Sequence, residues 1–157
     1  MSDIALLAPV PLVHLLDGFE VCASKGKVAF GSRAWEVFRE LDQIRSGQAV
    51  PALIYASMAD TDGPVVVSWV GQYIGHVESK NGAHPAGMEF RPPSTAENTS
   101  DNLGWWAVFW EVANLQEMPK EQQMSVQDIQ SRKGEFYKSS FIPEGPIIVQ
   151  NPWHQVG

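Results

Sequence analysis

Two spacings of apolar residues divide this chain. Up to Arg45 the apolar positions recur at helical intervals, and from Val50 onward they fall in short β-rich runs separated by turn residues. Leu12, Leu15, Leu16 and Phe19 make a helical stripe, although Asp17-Gly18 between apolar runs also fits a tight hairpin. We carry the helix forward, ending near Ser24-Lys25-Gly26. The clearest helix runs from about Arg33 to Arg45. Trp35, Phe38, Leu41 and Ile44, with Val37 nearby, form its apolar face, Ser32 is placed to cap it, and Gly47 supplies a left-handed stop.

The period then changes. Val50 to Met58 reads as a buried strand, and residues 59–64 form a turn cluster. Val65 to His76 is a second strand, which Gly71 and Gly75 interrupt as bulges or corners. Ser79 to Asn102 is a long polar loop rich in Gly and Pro, of a length that is often functional or mobile. Leu103 to Leu115 is a third strand, with Trp106, Val108 and Trp110 on one face and Trp105, Ala107, Phe109 and Glu111 on the other. A short helix capped by Ser125 and ending near Gly134, a strand over Phe136 to Phe141, and a last strand over Pro146 to Gln150 complete the order. This order predicts an α+β fold: a small β-barrel with peripheral helices, in a single domain over 1–157.

Composition narrows the function. A net charge of −7 opposes nonspecific binding to a phosphate backbone, which needs clustered Lys and Arg. It leaves open the reading of a single flipped or modified base, and also a protein partner. No apolar run is long enough to suggest a membrane span. Met1 to Leu16 lacks a basic start, carries Asp3 and is broken by Pro9 and Pro11, which reads against a signal peptide. The single cysteine, Cys22, reads as a small buried hydrophobe and fits a reducing, cytoplasmic setting. We expect no cofactor and no metal: His76 and His84, with Glu78 and Glu89, match no ligand spacing.

Six tryptophans are the most informative feature of the composition. Trp35 and Trp110 read as core. Trp69 and Tyr73 share a strand face and could stack a base, or could simply pack together. Trp105 and Trp106 point to opposite faces, so one of them could line a cleft. Ser68 adjoins Trp69. Lys27 and Arg33 lie in the densest basic stretch of the N-terminal half, and Arg91 lies in the long loop, where binding residues concentrate.

Three stretches resemble the PUA-like superfamily, in particular its ASCH and EVE branches. Gly26-Lys27-Val28-Ala29-Phe30-Gly31-Ser32-Arg33 resembles a degenerate ASCH signature, Gly-x-Lys-x-x-Glu-x-Arg. Residues 46–57 resemble the family's glycine followed by an Ile-Tyr-Ala-Ser-like strand, and Trp110 to Leu115 resembles its late strand. The resemblance implies a nucleic-acid-binding module, of RNA or DNA, that recognises a modified base in an aromatic pocket. It implies, as an alternative, a small amidohydrolase acting on an acylated nucleoside, with Lys27 as base, Ser24 or Ser32 as hydroxyl and Glu78 or Glu111 as acid. Phe30 and Gly31 stand where the signature has its acidic residue, which directs the reading to binding rather than catalysis. A protein-interaction domain acting in phage–host conflict is a further alternative, from the acidic charge and the long loop. The expected ligand-binding set is therefore Trp69, Tyr73, Trp105, Trp106, Lys27, Arg33, Ser68 and Arg91.

Overall fold

The computed structural model describes residues 2–57, 65–97, 106–138 and 142–154, with backbone alone at Ala96 and Glu97. Its chain order is β1 (Ile4–Pro11), α1 (Leu12–Lys25), β2 (Val28–Ser32), α2 (Trp35–Ile44), β3 (Val50–Ser57), β4 (Val66–Val67), β5 (Trp69–Glu78), β6 (Val108–Glu117), β7 (Met124–Ser125) and β8 (Ile147–Gln150). Short 3-10 turns occupy Pro93–Glu97, Lys120–Gln122 and Val126–Asp128. The fold is α+β. Six strands in the order β2-β6-β5-β3-β1-β8 make one sheet that curls into a half-barrel, and two helices accompany it. β4 and β7 form a separate ribbon.

Period-two alternation builds two cores, one on each side of this sheet. Leu6, Ala8 and Val10 of β1 and Ala52 and Ile54 of β3 face the side that holds Leu15 of α1 and Phe38 and Leu41 of α2. Ala5 and Leu7, with Leu53 and Tyr55, face the other side, against Val126, Ile129 and Val149. Each Leu or Phe so buried contributes about 1.5–3 kcal/mol relative to exposure. Tyr55 donates its hydroxyl to the Pro143 carbonyl in this second core, and burial pushes its pKa up to about 12.

α1 ends at Gly26, which holds φ +87° and donates its N–H to the Cys22 carbonyl. Cys22 is buried, as expected. Ser32 sits just ahead of α2, and its Oγ accepts from the Ala34 N–H at 3.0 Å. The interruptions read at Gly71 and Gly75 are register shifts between β5 and β6, one between Val70 and Gln72 and one between Tyr73 and Gly75. At Gly71 a Cβ would lie 2.4 Å from a Val112 methyl, so β6 can approach β5 there only across a glycine.

The structure corrects several expectations. β1 was not anticipated, because Pro9 and Pro11 argue against a strand inside a sheet. Both prolines lie beyond the reach of β8, which pairs with Ile4–Leu7, so they border β3 alone. The helix expected after Ser125 is only the turn Val126–Asp128; Ser125 does cap it, accepting from the Gln127 N–H. Phe136 forms a single bridge to Gln130 rather than a strand, and 139–141 lie outside the described residues. Trp35, assigned to the core, is 42% exposed, with the Arg39 guanidinium 4.7 Å from its ring centre. The described part of the long loop is anchored at His84, Arg91, Ser94 and Thr95, which are buried, while Lys80, Asn81, Pro85 to Gly87 and Glu89 are exposed.

Candidate functional site

The half-barrel leaves a seam between the C-terminal end of β1 and strand β2, an edge of the sheet. A cavity of about 430 Å³ lies in this seam. β1 supplies Pro9 to Pro11, the first turn of α1 supplies Leu12 to His14, β2 supplies Phe30 and Gly31, and Arg91, Ser94, Thr95, Trp106 and Trp110 close the rest. The volume falls in the range of small-molecule and cofactor sites.

β2 shows how an edge strand becomes a binding wall. The Ala29 N–H donates to the Phe90 carbonyl at 2.8 Å, and Arg91 Nη1 donates to the Ala29 carbonyl at 2.9 Å. Ala29 therefore turns its peptide groups away from β6, and alternation along the strand turns those of Gly31 to the same open edge, where the cavity lies. The guanidinium of Arg91 also sits 4.9 Å from the Phe109 ring centre, and the residue is 2% exposed. A planar fork so held is fixed in direction before any ligand arrives.

Trp106 covers Gly31. A Cβ added at Gly31 would lie 2.6–2.7 Å from three atoms of the indole, so the ring rests on a bare α-carbon. Backbone bonds hold this segment: the Trp106 N–H donates to the Gly82 carbonyl and the Ala107 N–H to the Ser32 carbonyl. Behind it, Trp110 packs on Phe30, with ring centres 5.0 Å apart, and stacks with Phe38 at 5.9 Å. Trp110 is 2% exposed, as its assignment to the core requires.

The wall at Ser94 and Thr95 is tied to α1. His14 Nδ1 lies 2.7 Å from Ser94 Oγ, the Ser94 N–H donates to Asp17 Oδ2 at 2.9 Å, and Thr95 Oγ1 donates to the Pro92 carbonyl at 2.6 Å. The first turn of α1 contains no acidic residue and no side-chain cap among the described residues, so the positive end of its dipole lies at the cavity.

A second cavity of about 840 Å³ adjoins the first across Trp106 and shares Pro9, Pro11 and Gly31 with it. Arg33, exposed just after β2, lines this one, as do Ser57 and Glu144.

The expected site residues thus separate. Trp106, Arg91 and Arg33 come together at the seam. Trp69 and Tyr73 do not join them: they are 4% and 0% exposed and lie in the α1/α2-side core. They do share a face, as the spacing required, but that face is the covered one. Tyr73 donates its hydroxyl to Asp42 Oδ1 at 2.9 Å; burial first, and then the Asp42 carboxylate, holds its pKa far above the ordinary 10. Ser68 contributes only backbone, its N–H donating to the Ile54 carbonyl and its carbonyl accepting from Met118. Lys27 lines neither cavity; its Nζ pairs with Glu111 Oε2 at 2.9 Å and lies 4.6 Å from the Phe90 ring centre. Trp105 lies outside the described residues.

His76 pairs with Asp42 and His84 packs on Phe109; among the described residues no cluster of His, Cys, Asp and Glu could hold a metal. Nor does any helix among them have the length and apolarity to cross a membrane. Sequence reasoning missed His14, Ser94, Thr95, Gly31 and the β1 prolines. Only Gly31 carried a signal, a glycine inside an apolar β run.

Fold and site together define an α+β half-barrel with a ligand-sized cavity at its open seam. No protein-family model matches the chain, and no curated protein matches it.

Proposed function

We propose that this protein binds single-stranded nucleic acid and takes an unpaired base, including a modified one, into the seam cavity. The observation that carries this reading is the Trp106 indole resting on Gly31 beside an open strand edge, with the Arg91 fork at the buried end of the same cavity. Stacking on an aromatic face contributes about 1–3 kcal/mol per base. Peptide groups and a guanidinium supply the donors and acceptors that a base edge requires. The net charge of −7 fits such a ligand, because affinity then comes from the base rather than from a long run of phosphates. The stretches that resemble PUA-like domains fall on β2, β3 and β6, and the first of them contributes Phe30, Gly31 and Arg33 to the two cavities. That coincidence supports reading the half-barrel as PUA-like.

Titration with plain and base-modified oligonucleotides, followed by tryptophan fluorescence, tests the proposal. Binding is expected in the micromolar range and is lost in Trp106→Ala. Absence of any response at high micromolar oligonucleotide, with RNA and DNA alike, rejects it.

A second reading is hydrolysis of an acylated nucleoside, and the Lys27–Glu111 pair at 2.9 Å supports it. Of the hydroxyls considered, Ser24 Oγ donates to the Val21 carbonyl and Ser32 Oγ accepts from Ala34, so each has a local backbone partner. Equal turnover of acylated nucleosides by wild type and Lys27→Ala removes Lys27 from any such mechanism.

A further inference from the structure

The two seam cavities meet at one indole. Trp106 and Gly31 line both, and so do Pro9 and Pro11 of β1. Trp106 is therefore a partition rather than the back wall of a single pocket. Its position is fixed by the bare α-carbon beneath it and by the N–H bond to Gly82. Each compartment has its own arginine: Arg91, buried, in the first, and Arg33, exposed, in the second. The volumes, about 430 and about 840 Å³, both lie in the range that accommodates a small organic ligand.

We infer that the seam reads two successive nucleotides of one strand, one in each compartment, with the Trp106 side chain at the boundary, only the face turned away from Gly31 open to stack on a base, and Arg33 on the phosphate outside the first compartment. This inference rests on the nucleic-acid reading above and names the length of its ligand. A base that enters the smaller cavity leaves its neighbour one backbone step away, and the adjoining space is the second cavity. Aromatic side chains are sequence-tolerant partners for stacked bases. The exposed guanidinium of Arg33 suits a backbone phosphate, which stays in solvent while the bases are covered. Glu144 lines the second cavity from the opposite side of the seam; its carboxylate accepts from an exocyclic amino group and repels a phosphate, so it fits the base and not the backbone.

The test compares ligand lengths on the full chain. Each ribo- and deoxyribonucleoside 5′-monophosphate is titrated by calorimetry, followed by the matching 5′-phosphorylated dinucleotides and a mixed pentanucleotide. The expected result is a dinucleotide about tenfold tighter than its mononucleotide, with a much smaller gain on going to the pentanucleotide. Arg33→Gln, at an exposed position that leaves the core intact, is expected to bring the dinucleotide-to-mononucleotide ratio down to about twofold or less. Equal affinity for mono- and dinucleotide overturns the two-compartment site while leaving single-base binding standing. An undiminished ratio in Arg33→Gln overturns the assignment of the second compartment. If no nucleotide of any length binds, the nucleic-acid reading itself fails and this inference with it.

Discussion

The indole of Trp106 lies on the α-carbon of Gly31, so close that a Cβ there would come within 2.6 Å of the ring. Gly31 is therefore a positioning residue for the candidate site. Gly31→Ala is expected to displace the ring, to destabilise the fold by about 1–3 kcal/mol through overpacking, and to weaken oligonucleotide binding at least tenfold. Urea unfolding and fluorescence titration measure the two effects separately. Wild-type affinity in the alanine variant would show that the ring has no part in the site.

Arg91 links the sheet edge to the cavity. Arg91→Met keeps the length of the side chain but leaves the Ala29 carbonyl without the guanidinium donor it now has at 2.9 Å. A loss of about 1–3 kcal/mol in stability is expected, together with loss of ligand binding. Arg91→Lys restores charge without the fork, so it should recover stability better than affinity. Equal recovery of both would argue that charge alone matters.

His84 makes stability depend on pH. It is 7% exposed, its Nδ1 accepts from the Ala86 N–H, and Nε2 is buried without a hydrogen-bond partner among the described residues. Desolvation by burial is the largest cause that lowers its pKa below the ordinary 6.5, while Glu111 opposes the shift. The unfolded chain thus takes up a proton before the folded one does. Stability is at its full value above about pH 6.5 and declines as pH falls from there through the lowered folded value. Thermal unfolding between pH 7.5 and pH 5 should show this decline in wild type and a flatter profile in His84→Leu. Parallel profiles would assign the pH dependence to other groups.

Trp69 and Tyr73 should report on the core and not on the ligand. Tyr73→Phe removes the hydrogen bond to Asp42, worth about 0.5–1.5 kcal/mol, while Arg45 and His76 still bond that carboxylate at 2.6 and 2.5 Å. Trp69→Phe loses an edge-on contact with Phe19, their ring centres 6.4 Å apart. Both variants should unfold at lower urea concentrations yet bind oligonucleotides as the wild type does. A selective loss of affinity in either would return that residue to the site.

The sequence carried β3, β5, β6 and β8 and the bulges of β5 because each is a local pattern, whereas the short strands β2 and β7 were not read from it. Gly71 and Gly75 broke an apolar run, and the ladder shifts beside both. The same periodicity placed Trp69 and Tyr73 on one face, but spacing cannot say which face the helices cover; that depends on where α1 and α2 pack. β1 was hidden for the opposite reason. Its prolines obey a local rule against strands, and only the shortness of β8 relieves it. Arg91 was legible as a loop arginine suited to binding. Its burial was not, since it follows from the 90–91 segment folding back over the free edge of β2, some sixty residues earlier in the chain.

That covered edge has an evolutionary consequence. Strand pairing fixes the register of β2 from one side only, whereas part of the cavity wall, Arg91, Ser94, Thr95 and Trp106, comes from segments outside the ladders. Substitutions there can reshape the cavity without shifting a single pair of strands. Relatives of this scaffold could exchange one ligand for another by rewriting a few non-strand residues, with the sheet inherited intact.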